Sequence, residues 1–287
     1  MMASQPQADA TQTVIDAHFH SWQLARGDYG WLTPALPAIY RDVSVSDWWE
    51  QARAHGVAGG VLVQAAATEA ETSHLLALAT AHPQVLGVVG WVDWLAEDAP
   101  QRIAQLARQP KLKGLRPMLQ DIADPDWILQ AALTPCLQAM AEHDLVFDAL
   151  VKPVHLPRLH TLAQRHPSLR VVIDHCAKPD IAHGQWQPWA DDLATLARNT
   201  RWYCKLSGLL TECAAAPPAD AARRWARNVL DCFGPDRLLW GSDWPVLQLA
   251  GPYDAWWQET HAVLADLPAQ QQHAVLGGNA RRAYQLA

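Results

Sequence analysis

The 287-residue sequence predicts an α/β protein built as a single (β/α)8 TIM barrel. Eight short apolar segments rich in β-branched residues recur along the chain, and a stretch of helical character follows each of them. Such units join parallel strands by right-handed crossovers, and eight of them predict a closed barrel. No stretch rich in Pro, Gly or Ser divides the chain, so we expect one catalytic domain over residues 13–287 and a disordered segment at residues 1–12.

The starting points of the eight predicted strands set the spacing of the barrel units. The strands begin near Val14, Gly60, Val85, Leu112, Leu145, Arg170, Trp202 and Leu238. The closest starts, at 60 and 85 and at 145 and 170, are 25 residues apart, and the most distant, at 14 and 60, are 46 apart. The shorter intervals hold a strand, a helix and two short loops, so the longest interval contains additional chain.

Helical signals fill the intervals between the predicted strands. Ser46–Glu50 is typical of a helix start, and Thr68 and Glu71 have the spacing of a capping box. His155–His166 and Ala221–Cys232 carry apolar residues at helical spacing. Strands and helices therefore alternate, as a parallel barrel requires.

The charge and composition of the chain argue against several classes of function. A formal net charge of −7 and a pI near 6.0 disfavour nucleic acid or an anionic membrane as the partner. No apolar stretch approaches the length of a membrane span, and residues 1–12 lack the features of a signal peptide. The five cysteines form no Cys-x-x-Cys pair, so a reducing, cytoplasmic location is expected. These properties leave the oligomeric state open.

The first predicted strand ends in two histidines that are two residues apart. Successive side chains of a strand point to opposite faces, so His18 and His20 share a face while Phe19 points away. The pair lies where an apolar strand gives way to a long polar loop. We interpret it as part of a functional site.

Polar side chains also lie near the ends of the later strands. Active sites of (β/α)8 barrels lie at the carboxyl ends of the strands, so these residues are expected to face one site. They are Arg116 on the fourth strand, Asp148 on the fifth, Asp174 and His175 on the sixth with Lys178 beyond them, and Asp243 on the eighth. Lys205 lies inside the seventh strand, where it is either paired or directed to the solvent.

The additional chain of the first interval, residues 21–44, is rich in Trp, Pro, Gly and Tyr. A long loop inside a compact domain is usually a lid or a binding loop, and this one directly follows the histidine pair. The chain contains 15 tryptophans. Four near strand ends are candidates for an apolar wall or a sugar-stacking wall, namely Trp22, Trp31, Trp91 and Trp244.

The candidate residues include a set of metal ligands. Histidine nitrogens and a carboxylate oxygen are donors that a single Zn²⁺ or similar ion accepts, with room for a water molecule. The set consists of His18, His20, His175 and Asp243.

The chain resembles the amidohydrolase superfamily in four motifs. They are the His18-x-His20 strand, the strand that ends at His175, Gly241–Pro245 and Gly277–Ala280. Three further segments resemble the sugar-lactone hydrolases of that superfamily. They are Tyr29–Pro34, Leu115–Pro117 and Asp174–Pro179. Together these motifs extend over nearly the whole chain.

The resemblance implies an amidohydrolase-like barrel that opens a sugar lactone such as L-fuconolactone to its aldonic acid by attack of water on the ring carbonyl. Asp243 is the candidate general base, and Arg116 and His175 are the candidates that polarise the carbonyl. The candidates for contact with the sugar are Trp31, Trp91, Lys178 and Asp148.

The chain departs from many amidohydrolases on its fourth and fifth strands. Lys113 lies early in the fourth strand where others carry a carboxylated lysine, and the fifth strand offers Asp148 in place of a histidine. A binuclear centre is therefore not expected. One divalent ion, with zinc as the first candidate, fits the resemblance, and so does lactone hydrolysis without a metal. A metal-dependent decarboxylase and a catalytically silent barrel that binds a small molecule are the alternatives.

Overall fold

Eight parallel strands form one sheet whose spatial order is the order of the chain. The computed structural model describes residues 13–215, 218 and 220–287. The strands are β1 (Val14–Phe19), β2 (Val57–Val63), β3 (Val85–Gly90), β4 (Leu112–Leu115), β5 (Val146–Ala149), β6 (Arg170–Ile173), β7 (Tyr203–Leu206) and β8 (Leu238–Trp240). All eight predicted strands are confirmed, although β2 begins at Val57 rather than near Gly60. The prediction for residues 1–12 lies outside the described residues.

The first and last strands meet just beyond their carboxyl ends. Phe19 and Trp244 form a parallel bridge, and the backbone N–H of His20 donates to the carbonyl of Trp244 at 2.8 Å. The N–H of Asp243 donates to the carbonyl of His18 at 2.9 Å. The sheet therefore curls into the predicted (β/α)8 barrel, and the junction of β1 and β8 carries a histidine on one side and an aspartate on the other.

Helices connect the strands, and the first two helices begin at side-chain caps. They are α1 (Val45–Ala54), α2 (Glu69–Ala81), α3 (Ala99–Leu106), α4 (Thr134–Glu142), α5 (Leu156–Arg165), α6 (Trp189–Asn199), α7 (Arg223–Phe233), α8 (Tyr253–Leu264), α9 (Ala269–His273) and α10 (Asn279–Ala283). Ser44 and Asp47 form the capping box of α1, and the Thr68 hydroxyl accepts the N–H of Glu71 in α2. Helices α5 and α7 confirm the two segments predicted from apolar periodicity.

The apolar core has two layers. The larger layer lies between the strands and the surrounding helices and contains fully buried tryptophans such as Trp48 and Trp189. The smaller layer fills the barrel, where Val61 and Val172 pack against residues at the end of the chain. Tyr284, just after α10, is buried in this inner layer and closes the amino-terminal end of the barrel. Among the described residues, no helix combines the length and apolar character needed to cross a bilayer.

Candidate active site

The two histidines of β1 point to the same side, as their spacing predicts. Phe19 turns the other way and stacks on Trp48, with 3.7 Å between ring centroids. The Nε2 atoms of His18 and His20 lie 3.1 Å apart. His20 Nδ1 lies 2.8 Å from the carbonyl of Val63 and donates to it, because a carbonyl can only accept. Nε2 is therefore the ring nitrogen of His20 that faces the site.

Asp243 follows β8 and places its carboxylate among the imidazoles. Its φ of 57° lies in the left-handed region, which Asp tolerates better than most residues. Its Oδ1 atom is 3.4 Å from His20 Nε2, 3.5 Å from His18 Nε2 and 3.8 Å from His175 Nε2. Burial alone raises the pKa of this carboxyl, but the surrounding imidazoles outweigh burial and hold the pKa well below its usual range. Asp243 is therefore a carboxylate at neutral pH.

His175 enters the site from a left-handed turn at the end of β6. Residues 175–178 all have positive φ, between 48° and 60°. His175 Nδ1 lies 2.9 Å from the Ser207 hydroxyl, and Gly208 leaves room for the ring, because a Cβ at that position would be 2.6 Å from Nδ1. Burial lowers the pKa of His175 to about 4 against the opposing influence of Asp243. The imidazole is therefore neutral at physiological pH.

Arg116, which follows β4, supplies a fixed cation. Its Nη1 donates to Asp174 Oδ2 at 3.0 Å and lies 3.4 Å from His18 Nε2, and its Nη2 donates to the carbonyl of Gln64. The side chain is only 3% exposed. The guanidinium is therefore positioned before any ligand arrives.

A cavity of about 300 Å³ opens above these groups at the carboxyl end of the barrel. Six of the predicted site residues line it, and they are His20, Trp31, Arg116, His175, Lys178 and Asp243. His18 lies directly beneath, fully buried. Trp31 donates from Nε1 to the carbonyl of Ala65 at 2.7 Å, so the long loop after β1 forms one wall of the cavity, as its position predicts.

Two residues predicted to contact the substrate do not line this cavity. Trp91 is half-buried against the core, and its backbone N–H donates to the Thr72 hydroxyl at 2.7 Å. Asp148 points into the barrel interior, where it is fully buried and accepts hydrogen bonds from Lys205 and Tyr284. The assignment of these two side chains to sugar contacts is therefore corrected. Trp22 and Trp244 are also buried away from the cavity.

A buried ionic network beneath the site has Lys205 at its centre. Lys205 Nζ lies 2.5 Å from Asp148 Oδ2, 2.8 Å from Asp174 Oδ1 and 3.1 Å from His18 Nδ1. The lysine is thus paired, and the alternative that it faces solvent is wrong. The sequence reveals that Lys205 lies in a strand, but not that three other strands bring partners to it.

Asp16 is a further residue of the site, outside the motifs described above. Its carboxylate accepts hydrogen bonds from the Ser242 N–H at 2.8 Å and the Ser242 hydroxyl at 2.6 Å. It also accepts from the backbone N–H of His18 at 3.2 Å and from Trp48 Nε1 at 2.9 Å. Asp16 therefore ties β1 to the segment after β8, directly below His18 and Asp243. Its spacing of two residues before His18 was the available signal.

The donor set fits a single divalent ion. Ligand atoms of His18, His175 and Asp243 all lie within 4.8 Å of one another, and His20 Nε2 is close to two of them. Ligands of a tetrahedral zinc ion with bonds of about 2.0 Å are roughly 3.3 Å apart, similar to the spacings around Asp243. Elsewhere in the described part of the chain there is no second cluster of this kind.

A family model described as Amidohydrolase matches residues 15–286. The chain belongs to the amidohydrolase family. This membership confirms the resemblance inferred from the histidine, aspartate and glycine motifs. The site described above is therefore the carboxyl-end site of an amidohydrolase barrel.

Two relatives of this amidohydrolase carry the name L-fucono-1,5-lactonase. The protein from Burkholderia ambifaria is 47% identical over 277 residues, with 95% of each chain covered. The protein from Burkholderia multivorans is 33% identical over 292 residues, covering 95% of this chain and 96% of the relative.

Solved structures give the same fold. The structure of an amidohydrolase from Burkholderia multivorans with bound zinc is 33% identical and has a TM-score of 0.90, covering 96% of this chain and 100% of that one. The 5-carboxyvanillate decarboxylase from Sphingomonas paucimobilis is 16% identical with a TM-score of 0.66, and this likeness shows the fold alone.

Proposed function

We propose that this amidohydrolase is a lactonase that opens an L-fuconolactone-like sugar lactone to its aldonic acid. The observation that carries the proposal is the meeting of one carboxylate, three imidazoles and one guanidinium at the floor of a single cavity. Lactone opening needs a group that accepts a proton from water and a cation that stabilises the developing oxyanion. The 47% identical relative named L-fucono-1,5-lactonase supports this chemistry.

Asp243 is the proposed general base. It is ionised at neutral pH, faces the cavity and has no lysine or arginine within ion-pair distance among the residues described. The neighbouring imidazoles limit its basicity, but an alkoxide leaving group makes a lactone easier to open than an amide. Asp243 takes the proton of the attacking water and can return it to the ring oxygen as the C–O bond breaks.

Arg116 is the proposed partner of the carbonyl oxygen. Its guanidinium is held by Asp174 and by the Gln64 carbonyl, so it does not need to reorganise as negative charge develops. His175 is neutral and lines the same cavity, and its Nε2 can contact the carbonyl or the water. These residues approach the substrate from different strands, which fixes the orientation of the ring.

The walls of the cavity fit a single sugar ring. Trp31, Leu36 and Leu249 form an apolar side. The polar part of the lining includes Gln120 and Asp121 together with an ion pair in which Lys178 Nζ lies 2.7 Å from Glu212 Oε1. About 300 Å³ is at the small end of ligand pockets. A monosaccharide lactone has the corresponding features, with hydroxyl groups on a small ring and apolar ring faces.

A divalent ion fits the donors but is not needed to define the roles above. With zinc or a similar ion bound, His18, His20, His175 and Asp243 would hold it, and it would supply Lewis acidity toward water or the carbonyl. The zinc-containing structure of the 33% identical amidohydrolase supports this assignment.

The alternatives have less support. A decarboxylase acting on an acidic substrate needs free cations, yet Lys178 is paired with Glu212 and Arg116 with Asp174. A catalytically silent barrel has no need for a buried carboxylate that faces a cavity and has three imidazoles around it. Neither alternative has an observation in its favour beyond the shared fold.

The test is acid release in a weakly buffered pH-indicator assay with fucono-, rhamnono-, galactono- and arabinonolactones. We expect fast hydrolysis of one stereochemical subset. Asp243→Asn should abolish it, whereas Asp266→Asn, which removes an exposed carboxylate, should not. Assays after chelation and after addition of zinc measure the contribution of the metal. Acid release from none of the lactones with zinc present would overturn the proposal, and CO2 release from aromatic acids would establish the decarboxylase.

A further inference from the structure

A second, larger cavity lies at the opposite end of the barrel from the candidate active site. Its volume is about 650 Å³, and it lies where β6 and β7 begin. Chain segments that follow α5 and α6 and the end of α10 form its sides. Active sites of these barrels lie at the carboxyl end, so the role of this cavity is separate from the chemistry proposed above. We call it the arginine cavity.

Four arginines line the arginine cavity, and they are Arg170, Arg198, Arg201 and Arg282. Its lining, which falls entirely within the described ranges, contains no aspartate or glutamate. None of the four guanidinium groups has a carboxylate within ion-pair distance in the part of the chain that the structure describes. Four uncompensated cations in one concave surface are unexpected in a chain with a net charge of −7.

The existing partners of these arginines do not neutralise them. Arg170 donates to the carbonyl oxygens of Asp144, Arg282 and Ala283, and so is fixed without losing its charge. Arg198 donates from Nη2 to the Thr195 hydroxyl, which leaves its other donors free. These contacts position the positive charge but do not compensate it.

Arg201 provides the most available donors. It is exposed, and within the residues described its side chain makes no hydrogen bond. The Ser168 hydroxyl and the half-buried Tyr203 also line the cavity, whereas the Thr200 hydroxyl already donates to the carbonyl of Leu196 at 2.8 Å. This lining suits a ligand with several anionic oxygens on a small organic body.

We propose that the arginine cavity binds a small multivalent anion, either a phosphate ester or a polycarboxylate. Planar guanidinium groups bind both chemistries through paired hydrogen bonds. A monoanion such as the aldonate product matches only part of the charge. The concave shape and the acidic net charge of the chain favour a small molecule over a nucleic acid.

The experiment is isothermal titration calorimetry of the full chain at constant ionic strength. Fructose 1,6-bisphosphate represents phosphate esters, tricarballylate represents polycarboxylates, and acetate is the monovalent control. The double variant Arg198→Gln/Arg201→Gln removes two exposed charges from the cavity. Arg53→Gln/Arg108→Gln removes two exposed charges elsewhere and is the matched control.

We expect at least one of the two multivalent probes to bind the parent and the matched control with a similar Kd below 1 mM, on the order of −4 kcal/mol or better. Binding to Arg198→Gln/Arg201→Gln should be at least tenfold weaker, and acetate should give no heat of binding. The probe that binds identifies the ligand class. Equal binding to both double variants, or no binding of either probe to the parent, overturns the proposal. Lactone hydrolysis by Arg198→Gln/Arg201→Gln should be unchanged, so failure here is distinguishable from failure of the proposed function.

Discussion

Asp243 and Asp148 are both buried aspartates of the barrel, yet their surroundings give them opposite properties. Asp148 is fully buried with its carboxylate 2.5 Å from Lys205 Nζ, and burial raises the pKa of Asp148 to about 6 although the lysine opposes this. Asp243 faces a cavity and has imidazoles around it, which hold its pKa well below the usual range against burial. Burial therefore does not distinguish a structural carboxylate from a reactive one. The difference lies in whether the charge is compensated inside the protein or left facing a ligand.

Asp243→Asn tests the reactive half of this comparison and should have the largest effect. The amide cannot accept a proton from water, so kcat should fall by a factor of about 10³ or more. The variant should keep the circular dichroism spectrum of the parent, because no buried lysine or arginine loses its counter-ion. Steady-state kinetics with the best lactone measures the loss. Turnover within a factor of ten of the parent would remove Asp243 from the role of base.

Lys205→Met tests the structural half. The substitution leaves Asp148 and Asp174 buried without their shared cation, which should lower the free energy of unfolding by about 3–5 kcal/mol. Adding Asp148→Asn should recover about 1–3 kcal/mol, because the two residues form one pair. Urea unfolding of the single and double variants gives both values. If the effects of the two substitutions on the free energy of unfolding are additive, Lys205 and Asp148 do not stabilise the fold as a pair.

Glu71 sharpens the comparison as a third kind of buried carboxylate. It accepts backbone N–H groups of Ala65 and Ala66 at 2.6–3.0 Å, and burial raises its pKa from 4.5 to about 7 in spite of them. The folded protein therefore binds this proton more tightly than the unfolded chain. The stabilisation of the fold by protonated Glu71 is complete below pH 4.5 and is lost as the pH rises through 7.

The expected decrease in unfolding free energy from this group between pH 5 and pH 8 is about 2 kcal/mol. Glu71→Gln should remove this pH dependence of the unfolding free energy, whereas Glu50→Gln, at an exposed position of α1, should retain it. Urea unfolding at both pH values measures the difference. Identical pH dependence in the parent and Glu71→Gln would contradict the assignment.

Ser207→Ala should have the smallest effect. It removes the hydroxyl that lies 2.9 Å from His175 Nδ1, so the imidazole beside Asp243 loses its orientation but keeps its burial. We expect kcat to fall about tenfold, equivalent to about 1.4 kcal/mol, with KM nearly unchanged. Ser207→Thr keeps the hydroxyl and should retain more of the activity. A change confined to KM would indicate that Ser207 acts on substrate binding instead.

Most of the fold could be predicted because each strand–helix unit carries its own local signal. The apolar strands, the caps at Thr68 and the interval lengths are all local properties. The rule that catalytic groups lie at strand ends then brought His18, His175 and Asp243 together without a structure.

The depth of each side chain along the barrel axis could not be predicted in the same way. Asp148 and Arg116 both lie near strand ends, but only the arginine reaches the cavity. The difference depends on the stagger between strands and on Lys205 and Tyr284, which are distant in sequence. Trp91 was likewise assigned from its position alone, although packing against the core directs it elsewhere.

The junction between β1 and the segment after β8 has a consequence for heat inactivation. His18 and Asp243 stand on opposite sides of this junction, and Asp16 and the bridge from Phe19 to Trp244 hold the two sides together. Asp243, the proposed base, and His18 beneath it therefore come from the two most sequence-distant strands, and the site is complete only while the ring of strands is closed. A small separation of the two strands at this junction abolishes activity while all helices are intact. On warming, the protein should therefore lose turnover before its helical circular dichroism signal decreases.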